Sequence, residues 1–186
     1  MEEYVGVKFA IGENALKRGR CRDRRIMEMI TYGKMLAALG FVKGNEGNMS
    51  IRKRMGMIVT ASGSSLSNLT YADFVHVKEF SFESFTLLAA VGLKNPSSET
   101  PMHLLAYKTR RDVGAVIHVH SMIGGSAVVG ACPYGSMELA ISVANKLREN
   151  DVVMMEGHGS VVVGKNVRDA FMRILYLREE RNNNSP

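Results

Sequence analysis

Two histidines one residue apart, His118 and His120, close the apolar run GAVIHVHS, and a third, His158, follows another apolar run in EGHGS. In an extended strand, side chains at i and i+2 leave the same face, about 6.6 Å apart at roughly 3.3 Å per residue. One ion can therefore take both imidazoles. Zinc binds imidazole nitrogen at about 2.0–2.1 Å, and a catalytic zinc site keeps three protein ligands and one open position, which makes His158 the natural third. Each residue also has a plainer reading, because an HxH pair packs in many strands without a metal and a His-Gly step is an ordinary turn. What favours a metal is that three of the five histidines fall at strand ends, where a sheet brings distant segments together.

Upstream of the pair, SSETPMH sets Ser97, Ser98 and Glu99 at the opening of a predicted helix. Ser98 is a good N-cap and Pro101 is tolerated in the first turn. A helix N-terminus attracts anions, so Ser97 and Ser98 are candidate phosphate contacts. Glu99 is a carboxylate near the candidate histidine site, or simply a first-turn acid stabilised by the helix dipole. His103, four residues on, shares its face and is expected to pack or to bond backbone. Two small-residue loops, GNEGN and TASGSS, present unobstructed backbone N–H groups together with the side chains of Asn48, Thr60, Ser62 and Ser64. Loops of this kind form anion-cradling concavities as well as plain turns. Neither carries a P-loop or GxGxxG pattern, so nucleotide binding is not inferred.

The elements that must hold these residues follow from periodicity. A chain of 186 residues suits one domain with a real core. Its 46% hydrophobic and 23% charged residues are those of a globular protein. From Asp23 to Leu39 the apolar positions recur at three and four residues and Gly40 supplies a stop, which predicts a helix. Met49 to Arg52, Met57 to Thr60, Phe74 to Phe80 and Ser84 to Val91 read as strands, with a short helical turn over Ser67 to Asp73. Ser121 to Val129 reads as a small-residue helix, Cys132 to Gly135 as a turn, and Ser136 to Glu149 as a helix capped by Ser136. Asp151 to Met155 and Val161 to Val163 read as strands around His158. Asn166 caps a last helix to about Glu180, with Asp169 completing an approximate capping box. The thirteen methionines read as core filler. Residues 1–22 read as an extension, 23–180 as the catalytic domain and 181–186 as a polar tail.

Composition limits the partners. No run of 18 apolar residues exists, so no membrane span is expected. The opening residues place acids where a secretory signal is basic. The two cysteines, Cys21 and Cys132, lack a CxxC spacing, which fits a reduced compartment and, with the rest, a cytoplasmic protein. The net charge of +6 gathers in KRGRCRDRR. That stretch suits anionic partners, but it lacks the aromatic interleaving of single-stranded nucleic-acid binders and reads first as a solvated helix start, with no nucleic-acid partner expected.

With those residues in place, the chain resembles the class II aldolase/adducin family, and within it the L-fuculose-1-phosphate aldolase-like enzymes. The matching segments are GNEGNMSIR, TASGSSLSNLT, SSETPMH with YKTRRDVGAVIHVHS, and EGHGSVVVGKNVRDAF, in the family's order. The resemblance implies a single-domain three-layer α/β/α fold with a mostly antiparallel central sheet, assembled as a homotetramer with active sites at subunit interfaces. It implies one Zn2+ per subunit, or another divalent ion, on His118, His120 and His158. Glu99 would be the acid/base and at times a further metal ligand. Gly47, Asn48, Ser62, Gly63, Ser97 and Ser98 would hold a substrate phosphate, with Thr60 close by. It also implies a tyrosine, contributed across a subunit interface, as proton donor to the aldehyde oxygen, for which Tyr134 is the candidate.

The activity so implied is reversible cleavage of a 2-ketose 1-phosphate to dihydroxyacetone phosphate and a small aldehyde such as lactaldehyde, with the metal as Lewis acid and Glu99 exchanging a proton. The alternatives are a methylthioribulose-1-phosphate dehydratase or a pentulose-phosphate epimerase of the same family. Glu99 argues against the epimerases, which carry Asp at that position. From another class, the alternative is a non-enzymatic anion or nucleic-acid binding module.

Overall fold

The computed structural model describes residues 8–183, and residues 1–7 and 184–186, at the two ends of the expected extension and tail, lie outside it. The chain runs β1 (Ala10–Ile11), β2 (Leu16–Arg18), α1 (Ile26–Ala38), β3 (Asn48–Arg52), β4 (Met57–Thr60), β5 (Phe74–Ser81) and β6 (Thr86–Gly92). It continues through α2 (Thr100–Thr109), β7 (Ala115–Val119), β8 (Ala127–Val129), α3 (Met137–Lys146), β9 (Val152–Met155), β10 (Gly159–Gly164) and α4 (Val167–Asn183). Between β4 and β5 the expected helical turn is two 3-10 turns, Leu66–Asn68 and Tyr71–Asp73.

The strands form one sheet in the order β1-β6-β5-β4-β3-β7-β10-β9-β8, with β2 also paired to β6. Its interior is antiparallel throughout. The parallel pairings lie at the edges, where β1 and β2 run along β6 and β8 runs along β9. Apolar residues cover both faces. On one, Met102, Ala106 and Tyr107 of α2 and Leu139, Ala140 and Val143 of α3 pack with Val59, Val75, Val116 and Val161. On the other, Ile26, Met29 and Leu36 of α1 and Phe171 and Ile174 of α4 pack with Met49, Ile51, Ile117 and Val162. The result is helix, sheet, helix, as expected. Fully burying one such side chain contributes about 1.5–3 kcal/mol.

Several local expectations are corrected. Ser121 to Val129 is not a helix: Gly124 and Gly125 take φ of 110° and 114°, left-handed values that no helix tolerates in succession, and the segment ends as edge strand β8. Residues 10–18, read as part of an extension, pair with β6, and Phe9 is buried. The methionines divide, since Met29, Met49, Met57, Met102 and Met155 are core while Met27, Met35, Met55 and Met172 are exposed. The last helix runs to Asn183, past the expected end at Glu180. Its cap is as read, with Asp169 N–H donating to Asn166 Oδ1 at 2.9 Å, but the Asp169 carboxylate accepts from Lys165 N–H in place of the cap residue. The basic stretch does lead into a helix: Asp23, three residues ahead of α1, accepts from Arg25 and Lys53.

Candidate active site

β7 is a central strand, flanked by β3 and β10. Its His118 pairs with Asn48 on one side and Val161 on the other and is fully buried. His120 stands just past the end of β7, exposed, and His158 sits in the turn between β9 and β10. Antiparallel pairing of β7 with β10 folds that turn back over the end of β7. Gly159, with φ of 118°, permits the close approach: a Cβ there would meet the Val119 carbonyl at 2.1 Å. The three imidazoles thus converge, each offering a nitrogen within 4.8 Å of the others. His118 and His158 stack at 4.9 Å with 6° between their planes, and His120 is tilted against both.

Glu99 faces this cluster from the position just ahead of α2. Its backbone N–H is held by Ser97 Oγ at 3.3 Å. Ser98, expected as the N-cap, is not the cap: Glu99 occupies that position, and its carboxylate is turned away from the helix. Oε1 accepts from His158 Nε2 at 2.9 Å and Oε2 accepts from the Asn48 amide at 2.7 Å. Burial works to raise the Glu99 carboxyl, but the hydrogen bonds from His158 and Asn48 pull the other way and hold it below the usual carboxylate range. Burial pushes His118 down to about 3 against the pull of Glu99, so that ring is neutral at pH 7. Burial also lowers His120.

The donor set fits a divalent cation. His118 Nδ1 lies 3.1 Å from the Ser160 carbonyl, which can only accept, so the proton is on Nδ1 and a lone pair is on Nε2. That Nε2 is buried without a hydrogen-bond partner, 3.2 Å from Glu99 Oε2 but out of hydrogen-bonding line. Two acceptors facing each other in a dry site are reconciled by a positive charge. An imidazole fixed by a backbone carbonyl in this tautomer is the usual form of a metal-ligating histidine.

A cavity of about 340 Å³ opens beside the cluster. Its wall includes Glu46, Gly47 and Asn48 from one loop, Ser62, Gly63 and Ser64 from the second, Ser97, Ser98 and Glu99 ahead of α2, and His120, His158 and Tyr134. The second loop is tied to the segment ahead of α2, Ser62 N–H donating to the Asn95 carbonyl and Ser97 N–H to the Thr60 carbonyl. Asp73 anchors the second loop, accepting from Ser64 Oγ, Thr70 and Lys94.

Two expected contacts serve elsewhere. Thr60 is buried behind its loop, its hydroxyl accepting from Met49 N–H. Asn48 lines the cavity but gives its amide to Glu99. Tyr134, expected across a subunit interface, stands in its own chain's cavity, its ring parallel to His158 within 8° at 6.1 Å.

Behind the site runs a polar seam. His103 packs in the interior, one of the two outcomes expected, and its ring bonds side chains and not backbone: Nδ1 meets Ser50 Oγ at 2.7 Å, and the same hydroxyl meets Tyr107 OH at 2.8 Å. Arg52 then donates to the carbonyls of Tyr107 and Arg110 at the end of α2. Burial lowers His103 to about 4 and raises Tyr107. Asn48, Ser50 and Arg52 alternate along β3, while Glu99, His103 and Tyr107 recur every four residues along α2. The two matching periods were a signal in the sequence for a strand and a helix joined by polar side chains.

A family described as the class II aldolase and adducin N-terminal domain matches residues 27–128 and 123–180. An L-fuculose phosphate aldolase from Methanocaldococcus jannaschii is 30% identical over 162 residues, 75% of this chain and 84% of that protein. A 5-methylthioribulose-1-phosphate/5-deoxyribulose-1-phosphate aldolase from Escherichia coli is 29% identical over 159 residues, 73% and 71% of the two chains. Among solved structures, an L-fuculose 1-phosphate aldolase superposes with a TM-score of 0.73 at 26% identity, covering 90% of this chain and 91% of that one.

Proposed function

The chain belongs to the class II aldolase and adducin family, and on that premise we propose that it is a divalent-metal-dependent aldolase. It reversibly splits a 2-ketose 1-phosphate of the L-fuculose 1-phosphate kind into dihydroxyacetone phosphate and a small aldehyde such as lactaldehyde. The observation that carries this reading is the convergence of His118, His120 and His158 on the face of Glu99, at the floor of a cavity walled by small-residue loops.

In this reading the loop N–H groups and hydroxyls of Gly47, Ser62, Gly63, Ser97 and Ser98 hold the phosphate ahead of α2, where the helix dipole favours an anion. That fixes C3 of the ketose near Glu99. When the C3–C4 bond breaks, its electron pair stays on the dihydroxyacetone phosphate fragment and C4 leaves as the aldehyde carbon. A divalent cation on the three imidazoles, Zn2+ in the first instance, supplies the Lewis acidity that stabilises this charge. Glu99 delivers the proton to C3 and removes it in the reverse direction, a role worth about 10²–10⁴-fold in rate. Tyr134 takes the C4 hydroxyl proton in cleavage and returns it to the aldehyde oxygen in condensation, and solvent carries one proton between Tyr134 and Glu99 to reset both groups for each turnover. Burial of Glu99, with hydrogen bonds to both oxygens, keeps it aimed.

The fucose-type and the 5-deoxyribulose-type relatives are almost equally similar, so 5-deoxyribulose 1-phosphate is the second substrate of choice, for the same reaction. A homotetramer is part of the same reading, and the exposed Met27, Met35, Met172 and Tyr176 are side chains that subunit contacts would cover. No helix among the described residues is long and apolar enough to cross a membrane. The test is release of dihydroxyacetone phosphate from L-fuculose 1-phosphate, 5-deoxyribulose 1-phosphate and methylthioribulose 1-phosphate, with metal content measured in parallel. Release that is abolished by chelation and restored by Zn2+ is expected. Full activity after exhaustive chelation overturns the reading, and a dehydrated product in place of dihydroxyacetone phosphate replaces it with a dehydratase.

A further inference from the structure

Lys8 lies in the stretch that sequence alone reads as a mere extension. Its Nζ sits 3.5 Å from the centroid of the Tyr134 ring, and the plane of that ring is 8° from the plane of His158. An ammonium over a phenol face is attracted by the ring quadrupole, and parallel aromatic rings 6.1 Å apart are within the range of offset stacking. The three groups form a column from the protein surface to a candidate metal ligand.

The column is anchored from both sides. Phe9, the next residue, is buried edge-on against Phe80 at 5.3 Å and Phe85 at 6.3 Å. Ala10 N–H then donates to the Phe85 carbonyl at 3.1 Å, and β1 runs along β6. The hairpin of β5 and β6 thereby fixes the place from which Lys8 reaches out. On the other side, Gly135 takes φ of 68°, and a Cβ there would lie 3.2 Å from the Ser98 carbonyl and 3.5 Å from Lys8 Cδ. The Lys8 stem therefore runs along the turn that carries Tyr134, where that turn meets the Ser98 backbone ahead of α2.

We propose that Lys8 is a positioning residue of the active site, its ammonium clamping the Tyr134 ring against His158 so that the phenol is held at the cavity wall. The inference rests on the reading of Tyr134 as the group that exchanges a proton with the aldehyde oxygen. Losing the clamp leaves the phosphate contacts untouched and frees the ring, so the turnover step suffers and substrate binding does not. Arginine also stacks on aromatic faces and should keep the ring in place.

The test is a cycle of Lys8→Met and Lys8→Arg in three backgrounds: unaltered, Tyr134→Phe, which keeps the ring face, and Tyr134→Leu, which removes it. Lys8→Met is expected to lower kcat about tenfold with KM within about twofold, and Lys8→Arg to restore kcat. By thermal unfolding, Lys8→Met should lower Tm by about 1–3 °C in the unaltered and Tyr134→Phe proteins and by nothing in Tyr134→Leu. An unchanged kcat and Tm in Lys8→Met, an equal loss in Lys8→Arg, or a Tm cost that persists in Tyr134→Leu would overturn the clamp. A protein that cleaves no ketose 1-phosphate would remove the functional reading instead, and the Tm cycle would then decide the clamp alone.

Discussion

The side-chain amide of Asn48 donates to Oε2 of Glu99 across 2.7 Å, joining the strand that follows the first small-residue loop to the carboxylate that faces the three histidines. Glu99 has no side-chain cap on α2 to steady it, so this bond and the one from His158 set where its oxygens point.

Replacing Asn48 by Ala should therefore reduce kcat by about 10–100-fold, the range for a group that orients an active-site ligand, while KM changes little. Steady-state kinetics on the best substrate decides this. A variant with full kcat would mean that His158 alone orients the carboxylate.

His120 and Glu99 should separate cleanly. His120 is exposed, so His120→Ala should fold with an unchanged thermal midpoint in the metal-free state and lose stoichiometric metal, read by elemental analysis after dialysis. Glu99→Gln should retain metal on the three histidines and lose about 10²–10⁴ in rate. Retention of metal by His120→Ala would remove that residue from the ligand set.

Asp73 gives an acid-stability prediction. Burial works to raise its carboxyl, but hydrogen bonds from Lys94, Thr70 and Ser64 outweigh it and lower it to about 2, against about 3.9 in an unfolded chain. A carboxylate lowered on folding stabilises the native state above the unfolded value and loses that contribution as pH falls through the folded one. Stability should thus drop between about pH 4 and pH 2, and Asp73→Asn should flatten that part of the curve. At pH 7 the same variant should lose about 2 kcal/mol, a fall in Tm of about 4–8 °C. Unfolding curves that superimpose across this window would show that the carboxylate does not hold the loop.

Gly47 and Gly44 both take left-handed backbone angles, 74° and 55°, yet they should respond differently to Ala. A Cβ on Gly44 meets nothing within 4 Å, so only the conformational cost of about 1–2 kcal/mol applies. On Gly47 it would lie 2.7 Å from the His118 carbonyl and 2.8 Å from a Val42 methyl, which forces the loop off β7. Gly47→Ala should fall further in Tm than Gly44→Ala and bind inorganic phosphate more weakly. Equal losses in the two variants would show that the loop can move aside freely.

Much of this site was legible in the residues. The HxH pair on a strand, the histidine in its own tight turn and the small-residue loops each carry a local pattern that survives folding. The partner set of each side chain was not legible, because it depends on register. Asn48 faces Glu99 only because β3 pairs with β7 as it does, and Thr60 turns behind its loop through a contact eleven residues away with Met49. Ser121 to Val129 reads differently in the sequence because its two serines, one alanine and two valines leave a period undecided, and the two glycines then settle the backbone. Strands of two and three residues along β6 are too short for any alternation to reveal, which is why Phe9 and Lys8 went unplaced.

The alternation of Asn48, Ser50 and Arg52 along β3 also bears on how the sheet finds its pairing. A slip of one residue would turn Met49 and Ile51 toward α2 and drive an amide, a hydroxyl and a guanidinium into the oily layer beneath α1 and α4. Misaligned strands would bury hydrogen-bonding groups with nothing to meet, while His103 and Tyr107 lost theirs. The polar alternation that includes the Asn48 bond to the Glu99 carboxylate thus also serves as a checksum during assembly, rejecting neighbouring alignments before the cluster forms.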